Sequence, residues 1–422
     1  MFPFILLYLA LVLLRPQEYP ALEEAHLPLL PVTLVLALCS WLISRGKSFA
    51  APQYVLLGAF LVVMMLSEVT NGWFGGVLAQ LLGFGPVLAA FVVLANAITS
   101  TRQVFIVMAI FVLCATVLAL HGVEQAQTGV GWTGVPLIQD GRIQYVGIFN
   151  DPNDLGMLFV LALPMALYLS SRGGAFGLRR LFWLSAGAML LYGIYLTDSR
   201  GALLAVAAVL GVWLWRKYGI VVAALLGSMG LAGLLLLPSR LHDLSPEEES
   251  ASGRVDAWYE GFQMFFSHPV FGVGADNFTD YNNLTAHNSL VLVLAETGFV
   301  GFTLWLGFVG YCFWMMLTVL RHRPELPDAR ATVAWGTERA IAMTLLLSLS
   351  GWVATAFFLS RSYTVVLYLL TALVVAAYAN ARRQFSSLPG FDLGRDWVRL
   401  VAIAAAIVVG LYVVVRVLLA FQ

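Results

Sequence analysis

Charge is what this chain has least of. Lysine, arginine, aspartate and glutamate make up 11% of its 422 residues, against 60% hydrophobic residues and a mean hydropathy of +0.87. That balance excludes a water-soluble domain and points to an all-α polytopic membrane protein. Cysteine is almost absent too. Cys39, Cys114 and Cys312 fall in hydrophobic stretches without metal-type spacing, so they read as small packing residues. No basic stripe offers a footprint for nucleic acid. The opening run MFPFILLYLALVLL has no basic residue before it and no small-residue cleavage site after it, and reads as a retained first helix. Ionisable groups at mid-span are nearly missing as well. Each costs about 2.5–3.5 kcal/mol on insertion scales, so their scarcity argues against an ion-coupled carrier. A transporter of any kind needs a polar path across the membrane that these spans lack.

Hydrophobic stretches long enough to cross as helices lie at 2–14, 28–44, 53–69, 77–98, 104–122, 154–171, 180–197, 201–216, 219–237, 300–320, 338–359, 363–380 and 397–418. This gives about 12–13 transmembrane helices, the first and last marking the range. With the amino terminus in the cytoplasm, the inner loops carry sixteen of the 23 basic residues and the outer side seven, the asymmetry expected of a correct span count and orientation. The chain divides into an amino-terminal helical part at 1–237, a polar outer loop with an interfacial helix at 238–288, and a carboxy-terminal helical part at 289–422. The loop contains the acidic run Glu247-Glu248-Glu249. Arginines, carboxylates, histidines and glycines gather in it and at the outer helix ends, so the chemistry is expected there.

Four outer motifs stand out. In FNDPNDLG, Asp151 is placed as an N-cap with Pro152 at the first helical position and Asp154 where a capping acid belongs, so Asn150, Asp151, Asn153 and Asp154 read as scaffold. In LTDSRGALL, Arg200 follows Asp198 in a short turn. It reads either as an interfacial anchor that snorkels or pairs with Asp198, or as a planar cation suited to grip a diphosphate bidentately. SGRVDAWYEGFQMFF, with Ser252 as cap, places Val255, Trp258, Phe262, Phe265 and Phe266 on one face of a helix lying along the interface. Arg254 then sits at the boundary of that face. The following HPVFGVGADNF is punctuated by glycine and turns tightly, with His268 a turn residue. In TAHNSLVLVLAETGFVG, His287 and Asn288 stand at the threshold of the next span. His287 is either a structural or capping histidine or a base toward a sugar hydroxyl. Glu296, nine residues on, faces the other side of a regular helix.

This ordered series, with AHNSLV and ETGFVG closing it, resembles the O-antigen ligase and O-antigen polymerase superfamily, which includes bacterial protein O-oligosaccharyltransferases. The resemblance runs from about 147 to 301. It implies a helical fold related to the GT-C class and transfer of a glycan from undecaprenyl diphosphate to an acceptor on the periplasmic side of the bacterial inner membrane, with inversion and no metal or other cofactor. The absence of Asp-x-Asp and Trp-Trp-Asp motifs is in keeping with this. Carried over, the resemblance makes Arg200 and Arg254 the diphosphate-binding residues and His287 the base, with Asp198 and Asn288 in support. The partners implied are the lipid-linked glycan, an acceptor glycolipid or glycan, and membrane lipid. A ligase-like activity is expected first, with a repeat-unit polymerase or a protein O-oligosaccharyltransferase as alternatives and, from a different class, a lipid-linked sugar transporter, which the lack of a polar path disfavours.

Overall fold

The structure, a computed structural model, describes residues 1–138, 141–172, 177–235 and 249–421. Arg240, Glu247 and Glu248 lie outside the described residues. Among these residues there are sixteen α-helices and no β-strand: α1 (Phe2–Leu14), α2 (Pro20–Glu23), α3 (Leu29–Ile43), α4 (Pro52–Thr70), α5 (Gly76–Ala97), α6 (Thr101–Thr128), α7 (Pro152–Ser171), α8 (Leu178–Thr197), α9 (Arg200–Tyr218), α10 (Ile220–Leu235), α11 (Glu249–Ser267), α12 (Phe278–Tyr281), α13 (Ser289–Arg321), α14 (Ala329–Ala356), α15 (Val365–Gln384) and α16 (Leu393–Ala420). The chain is an all-α polytopic membrane protein.

Each of the thirteen expected spans falls on a helix. Among the described residues nine helices are both long and apolar enough to cross: α4 to α7, α9 and α13 to α16. Helices α1 and α3 have 13 and 15 residues. At ~1.5 Å per residue they rise about 20–23 Å, short of a hydrocarbon core about 30 Å thick. Helix α8 has 20 residues but opens on Arg179 and Arg180, which dilute its apolar stretch.

Helices α7 and α15 form the centre, with Phe159, Leu161, Tyr368 and Leu370 fully enclosed. Helix α16 lies at the periphery and presents Val398, Ile403, Val409 and Val413 outward, as a lipid-facing helix should when water is absent around it. Contacts between distant segments respect the expected sidedness. Thr101 donates to Glu338 at 2.9 Å on one side, and Asn71 donates to the Gly272 carbonyl at 2.9 Å on the other.

Two local expectations change. Helix α11 already includes Glu249, so Ser252 lies inside it and does not cap it. Its apolar face is covered by protein in part: Trp258 and Phe262 are buried while Phe266 stays exposed, and Phe262 and Phe266 each hold the Tyr412 ring of α16 at 5.4 Å between centroids. In α3, Cys39 is exposed and does not pack internally.

Helix α13 breaks at Gly298, where φ is 64° and ψ is −167°, a region essentially reserved for glycine. A break strands carbonyls before it and amides after it, and in hydrocarbon these need partners. The 269–274 segment supplies them. Val273 and Gly274 amides donate to the carbonyls of Ala295 and Glu296 at 3.0 and 3.1 Å, while the amides of Phe299 and Val300 donate to Pro269 and Val270 at 2.9 and 3.3 Å. Gly272, with φ 73°, passes so close that an added Cβ would lie 2.3 Å from the Glu296 carbonyl carbon. The far side of the segment is clamped by the buried Glu68, which accepts from Gln80 at 2.9 Å and from Asn277 at 3.2 Å.

Gly272→Ala and Gly298→Ala are each expected to lower stability by at least about 1–3 kcal/mol from backbone strain alone. Gly310→Ala, on the same helix with nothing near its added Cβ, should stay within about 0.5 kcal/mol. Thermal unfolding of the full chain in detergent compares the three; equal midpoints would remove the role given to the break.

Candidate functional site

Five segments far apart in sequence meet at one end of the bundle. Helix α7 begins there. Pro152 is its first residue and Asp151 its N-cap, accepting from the Asn153 amide at 2.7 Å; Asn150 stands exposed just before it. Asp154 does not cap, which corrects the sequence expectation. Its carboxylate, 2% exposed, is gripped by Arg361 in two parallel bonds, Nε to Oδ1 at 2.5 Å and Nη2 to Oδ2 at 2.6 Å. Arg361 lies in the turn between α14 and α15. Burial works against its charge, but the bidentate carboxylate outweighs burial and holds its pKa above the ordinary arginine value.

The α8–α9 turn docks on the same helix start. Asp198 closes α8 in the left-handed conformation at φ 45°, and Ser199 caps α9, accepting from the Ala202 amide at 3.2 Å. Ser199 Oγ also donates to Asn153 Oδ1 at 2.7 Å. Arg142 reaches that oxygen at 3.2 Å and the Thr197 carbonyl at 2.9 Å. Arg200 is therefore the first residue of α9, half-buried, its backbone fixed by the neighbouring serine. An added Cβ on Gly156 would sit 2.9 Å from the Ala202 methyl, so glycine is what lets the two helix starts close together.

Asn288 caps α13, its Oδ1 accepting from the amides of Leu290 and Val291 at 2.9 and 3.1 Å. Ser289 then staples that helix start to the α14–α15 turn. It donates to the Leu359 carbonyl at 2.6 Å and accepts from the Arg361 amide at 2.9 Å, while Ser362 Oγ donates to the Ser289 carbonyl at 2.8 Å. His287, directly before the cap, adopts φ 47°, a left-handed conformation that costs about 1–2 kcal/mol for a residue with a Cβ. The cap and the staple hold it there.

Arg254 comes from the first turns of α11. That region is held close by Gly253, whose added Cβ would contact Leu284 at 3.5 Å, and by Trp258, edge-on to Phe357 at 5.6 Å. The half-buried His287 imidazole has its pKa lowered, first by desolvation and then by the positive charges of Arg254 and Arg361, with Asp151 opposing. The imidazole thus favours its neutral form, able to accept a proton.

All nine residues singled out in the sequence lie at this end of the bundle. Arg142, Ser289 and the pairing of Arg361 with Asp154 are additions. The signal for Arg361 was present, since LSRSYT repeats the serine-arginine pattern of DSRGAL at another helix end. Glu296 points elsewhere, accepting from the Phe278 amide at 3.1 Å and from Tyr363 Oη at 2.8 Å. Among the described residues no three His, Cys, Asp or Glu side chains are grouped so as to hold a metal ion.

Residues 184–306 match the family described as O-antigen ligase. The match supports the O-antigen ligase superfamily. It takes in Arg200, Arg254 and His287, and leaves Asp154 before it and Arg361 after it. At the coarser level this is a family of membrane glycan transferases of O-antigen ligase or polymerase type, whose partners are lipid-linked glycans and glycan acceptors. No match to a curated protein accompanies it.

Asp154→Asn leaves a mostly buried guanidinium without its counter-charge and should cost about 3–5 kcal/mol, whereas Asp154→Leu combined with Arg361→Met should recover much of that loss. Unfolding midpoints of the single and double variants test this. A coupling energy near zero would mean that the pair does not hold α7 to the α14–α15 turn.

Proposed function

We propose that the protein is an O-antigen ligase-like glycan transferase that moves a glycan from undecaprenyl diphosphate to an acceptor hydroxyl, working at the periplasmic face of a bacterial inner membrane. The observation that carries this reading is the convergence of His287 with Arg254, beside the docked α8–α9 turn that presents Arg200, within a family match to O-antigen ligase. As the sugar–phosphate bond breaks, charge grows on the diphosphate. Arg200 and Arg254 stabilise it, cations fixed in place before the reaction begins. His287 takes the proton of the acceptor hydroxyl from the opposite face of the sugar, so the reaction inverts the anomeric centre. The Asp154–Arg361 pair stays closed and helps keep His287 neutral.

Arg361, paired with Asp154, is given no diphosphate role. An ammonium in place of Arg200 loses the two-pronged grip, so Arg200→Lys should be strongly impaired in transfer and in donor affinity. His287→Ala is expected to bind the lipid-linked donor normally and to lose roughly 10² to 10⁴ of turnover, while Arg254→Ala loses donor affinity as well. Donor affinity and transfer rate in nanodiscs separate these. Near-normal turnover in His287→Ala would move the base elsewhere. Because the environment disfavours the imidazolium, the rate should hold from neutral pH down past the ordinary histidine value of 6.5 and fall only below it, as protonation removes the base.

If the two arginines do the work of a cation, transfer persists in excess EDTA. A requirement for added magnesium or manganese would sink the arginine mechanism and turn attention to Asp151, Asp154 and Asp256.

A further inference from the structure

Behind Arg361 lies a cavity of about 490 Å³ that the transfer scheme above does not use. It is within the size range of small-molecule sites, about 300–1,000 Å³. Its polar lining includes Asp276, Thr279, Glu296, Arg361 and Tyr363, its apolar wall includes Val87 and Leu292, and neither Arg200, Arg254 nor His287 borders it. The link is geometric: Arg361 and Thr285, the latter two residues before His287, both line the cavity, Thr285 bonds to Ser360 at 2.8 Å and the Arg361 amide donates to Ser289 at 2.9 Å.

The chemistry of the lining selects its occupant. Two arginines border the cavity, and both are already paired: Arg361 with Asp154, and Arg15 with Glu18 at 2.5 Å. Asp276 adds an acidic group that disfavours phosphate, and both oxygens of the buried Glu296 are already engaged, by the Phe278 amide and by Tyr363. A phosphorylated or carboxylated group therefore finds no net positive field there, and a diphosphate belongs on the Arg200 and Arg254 side. Acidic and hydroxyl groups set against an apolar wall suit a sugar ring instead, with its hydroxyls bonding to Asp276 and Thr279 and its C–H face lying on Val87 and Leu292. Glu296 is held from behind by the Phe278 amide and by Tyr363, and Tyr363 itself packs on Phe60 and Phe84, so this wall is rigid. Asp276 occupies the left-handed region at φ 68° in the turn just after the segment that patches the α13 break.

We propose that this cavity seats the uncharged or amino-bearing sugar of the acceptor, presenting its hydroxyl past Arg361 to His287. The assignment rests on the glycan-transfer reading above. In the step it serves, the acceptor O–H gives its proton to His287. The oxygen bonds to the anomeric carbon of the donor, and the bond from that carbon to the diphosphate oxygen breaks, its electron pair leaving with the diphosphate.

The test uses the full chain in nanodiscs with an undecaprenyl-diphosphate-linked oligosaccharide as donor. A glycolipid carrying a neutral saccharide, a second lipid-linked oligosaccharide and a serine peptide are offered as separate acceptors, and the first two tell the two saccharide sources apart. Asp276→Asn and Thr279→Trp should each raise the KM for the saccharide acceptor about tenfold with donor KM unchanged. In a turnover-free measurement, maleimide labelling of Thr279→Cys should slow in the presence of the accepted saccharide and not with undecaprenyl diphosphate alone. A rise in donor KM would give the cavity to the donor glycan and overturn the proposal while transfer stands. So would an unchanged acceptor KM, or use of the peptide alone. A wild type that turns over no donor would remove the glycan-transfer reading, and the acceptor assignment with it.

Discussion

A polypeptide inside a bilayer has no water to complete its hydrogen bonds, and the break in α13 is where this constraint shapes the whole molecule. At Gly298 the helical ladder stops and restarts, and the groups it releases are satisfied by backbone from the 269–274 segment in four bonds. That segment is thereby fixed in register against α13. Its upstream helix, α11, brings Arg254 to the site. Its downstream turn carries Asp276, Phe278 and finally His287 and Asn288. A straight helix would need no patch, and the polar chain between α11 and α13 would then lose four of the bonds that set its depth. The buried Glu68, with Gln80 and Asn277 on its two oxygens, secures the same segment from the opposite side.

The second constraint is electrostatic. A carboxylate almost fully removed from solvent at the start of α7 requires a counter-charge with good geometry, since an unpaired buried charge is far more costly than a paired one. Arg361 provides it in two parallel bonds. The pair engages Nε and Nη2 of the guanidinium, and the charge of the arginine still reaches His287 and depresses the imidazole pKa together with Arg254. One pair therefore serves two ends: it joins α7 to the α14–α15 turn, and it biases a nearby histidine toward the form that accepts a proton. Ser289 ties the histidine's own segment to that turn through backbone groups on both sides, so the bias acts at a fixed position.

How much of this was legible in the sequence follows from the range of each interaction. Helices are local, so every hydrophobic stretch became one, and Asp151, Ser199 and Asn288 cap their helices through contacts two or three residues away. The end of the bundle that gathers the polar groups was legible too, because expulsion of charge from hydrocarbon leaves few other places for it. Asp154 was misread as a capping acid because its partner is 207 residues away, beyond any local rule. The amphipathic face of α11 was correctly apolar, but apolarity does not say whether lipid or protein covers it, and here α13 and α16 contribute. The glycines of HPVFGVGADNF announced tight turning; that they turn in order to complete another helix's hydrogen bonds depends on a contact no periodicity records.

These constraints together explain why the site lies at helix ends. Helix starts offer amides, caps and fixed backbone without placing a charge at mid-depth, and three of them, α7, α9 and α13, begin within one cluster of hydrogen bonds. Asn153 links the first two through Ser199 and Arg142, and Arg361 links the first to the third through Asp154 and Ser289. Any shift of one start relative to another must break a bond that water is poorly placed to replace. The cluster is consequently rigid where a leaving group and a proton acceptor need fixed positions. The cavity on the far side of Arg361 is bounded by the same turn and by the patched segment, so the two binding regions share a wall whose position is set twice over, by an ion pair and by a helix break.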